Sequence, residues 1–443
     1  MARPPSRARG LRYSGTVKAV RIGLLGVGTV GAAVAKAIAT RGDVLARASR
    51  ATLVVQRAAV RDPAKERGLS LDRVTTDPLE VVRADDVDVV VELLGGEEPA
   101  FGLMKEAIER GKPVVTANKR VVSWHGPELH DLAARKGVEL RYEAAVGGGI
   151  PLLAPLADDL AANRLLELRA IINGTTNYIL TQMAGGSSFQ DALARAQKLG
   201  YAEADPSDDV DAVDAADKLA ILVRIAFGVS CTPKEIFREG VRALDPIDLA
   251  YGREMGYALK LLAIARRGEG GIEARVHPAF LPADHPLARV DGARNAVHLL
   301  GDLCGPVMFS GLGAGGDATA SAVLADLTHV ARRLALGDPV EPPRPGHTGL
   351  PVLPMDEVRA RSYLRLSVDD VPGVFAQITH VLAELGIGLA SVIQREPVSG
   401  QADVVLMTYA AREAALREAQ RRLAALPTTR SVRARIRVEE SRT

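Results

Sequence analysis

The chain reads as an α/β protein of three domains: a doubly wound parallel domain, an α+β domain, and a C-terminal ferredoxin-like unit of order βαββαβ. Three observations predict this. From residue 20 to about residue 150, short apolar strand candidates alternate with helical stretches, the pattern of a parallel sheet with crossover helices. From residue 151 to 317 that alternation gives way to a mixture of helices and strands, and a segment rich in proline and glycine, residues 337–361, separates it from the last unit at 362–443. A length of 443 residues suits about three domains.

The first strand candidate, residues 20–25, runs directly into Gly26-Val27-Gly28-Thr29-Val30-Gly31 and then a helical stretch at 32–39. In that setting Gly26 permits a tight turn, Gly28 lets a pyrophosphate approach the backbone, and Gly31 lets helix pack on strand. Thr29 and Val30 open the helix, whose free N–H groups favour an anion. The next strand, 53–60, ends at Arg61-Asp62 with Lys65 close behind. An arginine and a lysine suit a 2′-phosphate, which favours NADP, while Asp62 keeps NAD open. A third strand, 87–94, ends at Gly95-Gly96, and a fourth, 113–116, opens into Ala117-Asn118-Lys119. Lys119 therefore falls in a loop at a carboxyl end of the sheet, where ligands of such folds bind. A helix at 127–136 and a strand at 138–144 lead to Val146-Gly147-Gly148-Gly149-Ile150, with Glu143 just before. Bared carbonyls plus one carboxylate suit a hard cation, and an interdomain hinge is the other reading.

The second domain is expected to hold a helix at 152–163, a strand at 165–172, the polar loop Asn173-Gly174-Thr175-Thr176-Asn177, and strands at 272–281 and 296–300. A second glycine-rich turn, 309–316, precedes a helix at 318–336 that is expected to return to the dinucleotide domain and complete it. The stretch that most suggests chemistry is 200–218. Asp205 and Pro206 read as N-cap and first helical residue, with Asp208 and Asp209 in the first turn. Asp211, Asp214 and Lys218 then fall at i, i+3 and i+7 on one face, while residues 219–225 are apolar apart from Arg224. Such a helix is buried. A solvated charge run costs almost nothing, but removing Asp214 and Lys218 from water costs several kcal/mol each unless they pair well, which points to a site.

Composition narrows the function classes. Hydrophobic residues make up 47% and charged residues 25% of the chain, and the net charge is +2. That balance builds large cores and gives no electrostatic case for nucleic acid or a membrane surface. No apolar run reaches the ~18 residues of a membrane span. The two cysteines, Cys231 and Cys304, have no metal-ligand spacing and frame no disulfide scaffold, which suits a reducing, cytoplasmic setting. Histidines 277, 285, 298 and 329 are scattered without ligand spacing and read as structural. Residues 1–19, rich in Arg, Pro and Ser, read as a disordered extension.

In the last unit, strand 363–368, the turn Asp370-Val371-Pro372-Gly373, helix 374–385, strands 388–395 and 403–409, helix 412–426 and strand 432–438 follow in order. Taken with Gly26 to Gly31, Thr116-Ala117-Asn118-Lys119, Asn173-Gly174-Thr175-Thr176-Asn177-Tyr178, the 200–218 stretch and Gly311 to Gly315, this resembles homoserine dehydrogenase with a C-terminal ACT domain, from about residue 20 onward. The resemblance implies a Rossmann-like domain and NAD(P)-dependent interconversion of L-homoserine and L-aspartate 4-semialdehyde, within threonine, methionine and isoleucine biosynthesis. It implies that Lys218 exchanges the proton with the substrate oxygen and that Lys119 lies beside the nicotinamide. Glu203 would meet the α-ammonium, Asp214 would orient substrate or lysine, and Thr176, Tyr201 and Asp209 would line the pocket. Gly315 would meet the cofactor, although Gly316-Asp317-Ala318 departs from the family, which usually has a proline before a threonine there. Glu143, Val146, Gly148 and Ile150 match a monovalent cation site, Na+, three of them through main-chain oxygen. The resemblance also implies a homodimer or homotetramer and threonine as the amino-acid effector of the ACT domain. Two other readings compete with it. A regulator without catalysis would have let the reactive groups erode, yet Lys119, Glu203, Asp214 and Lys218 are present. Another amino-acid or semialdehyde dehydrogenase that formed an acyl intermediate would want a cysteine in a nucleophile setting, and neither cysteine has one.

Overall fold

The structure is a computed structural model that describes residues 18–65, 71–340, 349–394 and 400–440. The expected N-terminal extension, apart from residues 18 and 19, and the middle of the linker lie outside the described residues. Six strands form the first sheet: β1 (Lys18–Leu25), β2 (Ala51–Ala59), β3 (Val74–Thr75), β4 (Val89–Glu92), β5 (Val114–Thr116) and β6 (Leu140–Arg141), in the order β3-β2-β1-β4-β5-β6. Every pairing is parallel. The order reverses between β1 and β4, which opens a crevice beyond their carboxyl ends. Both faces are covered, so the strands read as apolar runs rather than alternations. Val20, Ile22 and Leu24 pack with Val34 and with Val323, Leu327 and Val330 of the helix Gly316–Leu336. That late helix packs against this face of the first sheet. Leu25 and Val90 pack on the other face with Met104, Ile108 and Leu129. Each such side chain, fully buried, contributes roughly 1.5–3 kcal/mol.

The remaining strands form one continuous second sheet. They are β7 (Leu165–Ile171), β8 (Phe237–Arg238), β9 (Tyr257–Gly268), β10 (Gly271–Pro282), β11 (Arg294–Gly301), β12 (Gly305–Leu312), β13 (Arg359–Asp369), β14 (Leu389–Gln394), β15 (Gln401–Thr408), β16 (Ala411–Arg412) and β17 (Thr429–Val438). The main path is β12-β11-β7-β9-β10-β17-β13-β15-β14. Its last four strands are the expected βαββαβ unit, with the helices Val374–Glu384 and Glu413–Ala424. That unit is not a detached tail: β17 pairs in parallel with β10 through Ala279 with Arg437 and Phe280 with Val438. The linker is anchored too, because Ile272 N donates to Pro351 O and Leu353 N to Ile272 O.

Several expectations are corrected. Strand β9 has no alternating signature in the sequence, because eight of its residues are buried without interruption and a strand covered on both faces loses its period-two pattern. The helix expected at 152–163 is the short Leu153–Ala157, and the helix expected at 127–136 begins at Lys119 and continues through Pro127 to Lys136. The 200–218 stretch is not one helix. It forms Ser207–Val210 and Val213–Phe227, with Ala212 left-handed at φ 62° between them. Val241 N donates to the Val210 carbonyl at 2.9 Å, taking the acceptor a continuous helix would need, and a Cβ on Gly240 would stand 2.3 Å from that same oxygen. Asp211 therefore leaves the face shared by Asp214 and Lys218 and pairs with Arg242 at 2.6 Å on the surface.

Candidate active site

The helix Val213–Phe227 carries Asp214 and Lys218 one turn apart, and their side chains meet. Lys218 Nζ donates to Asp214 Oδ2 at 2.6 Å and to the Ile172 carbonyl at 2.8 Å. From the other domain, Lys119 Nζ lies 3.0 Å from Asp214 Oδ1. One carboxylate thus bridges two ammonium groups delivered by two domains. Asp214 is 7% exposed, Lys218 13% and Lys119 42%, so the cluster is buried on one side and open on the other. Burial opposes the charge of Asp214, but Lys218 and Lys119 outweigh it and hold the carboxyl well below the usual carboxylate range. In return Asp214, against some desolvation, raises Lys119 above the ordinary lysine value.

Asn173, at the end of β7, organises the carboxylates. Its Nδ2 donates to Asp214 Oδ2 at 2.9 Å and to Asp209 Oδ1 at 2.6 Å. Thr176 N and Oγ1 donate to Asn173 Oδ1 at 2.8 and 2.9 Å, so the amide has only one useful orientation. Thr176 is buried and acts through Asn173. Burial raises the Asp209 carboxyl, and the hydrogen bond from Asn173 offsets part of that. Tyr201 is exposed; Thr175 Oγ1 holds its carbonyl at 2.5 Å, and its ring lies 5.1 Å from that of Tyr178. Glu203 lies on the exposed loop that follows, outside the Asp214 cluster, with Gln197 Nε2 donating to its carbonyl at 3.1 Å. Sequence reasoning missed the Asn173 side chain and the Ile172 carbonyl; a run of polar residues directly after an apolar strand was the available signal.

The position of Lys119 is set by strand ends in the first sheet. Glu92, buried at the end of β4, accepts from Thr116 Oγ1 at 2.6 Å and from Leu94 N at 2.7 Å. Burial raises its carboxyl, partly countered by those donors. Thr116 Oγ1 accepts from Asn118 N at 2.9 Å, Asn118 Nδ2 donates to the Gly96 carbonyl at 2.7 Å, and Asn118 Oδ1 caps the next helix by accepting from Val121 N. Lys119 is thus the first residue of a capped helix rather than part of a loop.

The same crevice fits a dinucleotide. Gly26 turns the chain at φ 91°, and a Cβ on Gly31 would stand 2.1 Å from the Gly26 carbonyl oxygen. Gly28 faces open space at the N-terminus of the helix Thr29–Thr40, whose second residue is Val30. Gly315, at φ 120°, caps the helix Gly316–Leu336, and a Cβ on Gly316 would be 3.1 Å from Thr29 Cγ2. The second glycine turn therefore does reach the first, despite its missing proline. Arg61 and Lys65 are exposed beyond the end of β2. The Glu143 carboxylate accepts from Leu152 N, Leu153 N and Ala154 N at 2.5, 2.9 and 2.7 Å, opening the Leu153–Ala157 helix. Among the described residues no cluster of three or more His, Cys, Asp and Glu could hold a metal. No helix of the described residues is long and apolar enough to cross a membrane.

Comparison with known proteins agrees with this geometry. Residues 26–143 match the homoserine dehydrogenase NAD-binding domain, residues 151–328 homoserine dehydrogenase, and residues 362–428 the ACT domain. The homoserine dehydrogenase of Pseudomonas aeruginosa is 40% identical over 435 residues, 96% of this chain and all of the relative. The crystal structure of a homoserine dehydrogenase from Thiobacillus denitrificans superposes with a TM-score of 0.91 at 43% identity, covering 96% of this chain and 99% of that one. A hyperthermophilic archaeal homoserine dehydrogenase mutant in complex with NADPH matches with a TM-score of 0.62 at 29% identity, over 73% of this chain and 99% of that one. The chain belongs to the homoserine dehydrogenase family, as an NAD(P)-dependent oxidoreductase with a C-terminal ACT domain.

Proposed function

We propose that Lys218 is the acid and base of homoserine–semialdehyde interconversion, with Lys119 supplying fixed positive charge beside it. The observation that carries this is the Asp214 carboxylate bridging the two ammonium groups at the mouth of the crevice. An ammonium has three N–H donors. Lys218 directs two at Asp214 and Ile172 O, which leaves one for the substrate oxygen. When bound, the nicotinamide accepts or returns a hydride at the substrate carbon. In the reducing direction Lys218 gives a proton to the oxygen as negative charge develops there, and in the oxidising direction it removes one. Lys119, held charged by Asp214, favours the same oxygen electrostatically. Glu203 meets the α-ammonium of the substrate from the exposed loop, and Tyr201 and Asp209 line that side of the cleft.

Gly26, Gly28, Thr29, Val30, Gly31 and Gly315 hold the dinucleotide. Arg61 and Lys65 favour NADP over NAD, in keeping with the NADPH bound by the archaeal relative. A monovalent cation such as Na+ would be held by main-chain oxygens of residues 143–150, and no step depends on it. The enzyme works as a homodimer or homotetramer in the cytoplasm. Threonine binds the ACT domain; isothermal titration with threonine is expected to give heat, and none would leave the domain as a dimerisation tail.

The test is a coupled one. Homoserine oxidation is followed with both cofactors at alkaline pH in the wild type and in Lys218→Ala. The variant is expected to lose at least about 100-fold in kcat while binding NADPH normally. Near-normal turnover would remove Lys218 from the mechanism.

A further inference from the structure

Asp217 is a buried carboxylate that the reaction as described does not use. It sits beside Lys218 in sequence, on the flank of the Val213–Phe227 helix that faces the first domain. There it meets three donors from the opening turns of the Lys119–Lys136 helix. Arg120 Nη1 lies 3.1 Å from Oδ2, Ser123 Oγ donates to Oδ1 at 3.1 Å, and Trp124 Nε1 to Oδ1 at 3.3 Å. Two turns along the same flank Arg224, which is i+7 from Asp217, donates to the Val122 carbonyl at 2.5 Å. A Cβ on Gly126 would stand 2.4 Å from Arg224 Nη1, so a larger residue there would displace the Arg224 guanidinium. The two helices belong to different domains and are clamped at two points. Lys119 is the first residue of the clamped helix, and Asp214 lies three residues before Asp217 on the other.

We propose that Asp217 is a positioning residue for Lys119: by gripping Arg120, Ser123 and Trp124 it fixes the 3.0 Å approach of Lys119 Nζ to Asp214 across the domain junction. Three features support this over plain packing. The acceptors of Asp217 are filled by donors from one helix only, so its bonds define the relation between two domains rather than the shape of one. Those donors occupy positions one, four and five residues beyond Lys119, within the turn and a half that sets where the lysine can reach. A carboxylate buried at this depth persists only because that partner helix is present. The inference rests on the role proposed for Lys119, and Asp217 itself touches neither substrate nor cofactor.

A double-mutant cycle tests it. Asp217→Ala is expected to lower kcat for homoserine oxidation about tenfold, as a displacement of a charged group near the reacting oxygen would, with KM for NADPH in the reverse reaction unchanged. In a Lys119→Ala background the same substitution should cost less than about twofold. Equal losses in both backgrounds, or wild-type kcat in Asp217→Ala, would overturn the proposal. Should Asp217→Ala not fold, Ser123→Ala and Trp124→Phe remove one donor each while leaving the Arg120 pair, and the same loss of effect in the Lys119→Ala background is required of them. Lys119→Ala with undiminished kcat would instead defeat the role of Lys119, a separate outcome from failure of the tether.

Discussion

Two buried carboxylates in this enzyme are each surrounded by cations, and they do different things. Asp214 bridges Lys218 and Lys119 at the crevice. Glu439, just after β17, is met by Arg275 Nη2 at 2.8 Å, Arg266 Nη2 at 3.0 Å and Arg169 Nη2 at 3.8 Å, where the ACT unit joins the catalytic sheet. In both, burial opposes the charge and the cations override it, holding the carboxyl far below its ordinary range. Depth and depressed titration therefore do not mark a site. What separates the two is access and the kind of cation. Arg169 and Arg275 are 1% exposed, and a guanidinium serves as a fixed charge rather than a proton carrier. Around Asp214 the cations are amines that can exchange protons, and one of them reaches solvent. The first cluster can do chemistry; the second can only hold strands together.

The contrast can be broken most decisively by removing each carboxylate. Asp214→Ala is expected to lower kcat by at least about 100-fold with a moderate loss of stability, because Lys119 can turn to water. Glu439→Gln should do the reverse: lose about 3–5 kcal/mol of stability, since it strands buried arginines, while turnover per folded molecule stays near wild type. Urea denaturation and steady-state kinetics on both variants would decide. Matching patterns in the two would erase the distinction. A smaller effect sharpens it. A lysine amine acting as base is mostly protonated at neutral pH, so homoserine oxidation should rise between about pH 7 and pH 9, by up to about tenfold per pH unit, as the base form grows. Because Asp214 raises Lys119 further, that residue stays charged over this range and does not contribute to the rise. A flat profile would count against lysine as the base.

Much of this was legible from local pattern. Gly26 to Gly31 between a strand and a helix, the βαββαβ order, and Asp214 with Lys218 one turn apart are all short-range signals, and each lies where it was expected. What was hidden depends on partners distant in sequence. Nothing near Ala212 announces the helix break, because its cause is the approach of Gly240 and Val241. Asn173 and Asp217 show their roles only once a second element arrives to be held. The Glu143 carboxylate caps a helix, Leu153–Ala157, that is far shorter than the local sequence suggests, and its donors come from nine to eleven residues further along the chain. Strand β9 carried no alternation because neither of its faces meets water.

The pairing of β17 with β10 gives the ACT unit a standing that modular naming would hide. It cannot be cut away as an independent sensor. A truncation before β17 would bare the Ala279–Phe280 end of β10 and leave the guanidinium groups of Arg266 and Arg275 without their shared anion. An open strand margin invites association with other chains, so the shortened product should tend toward insolubility rather than toward an unregulated catalyst.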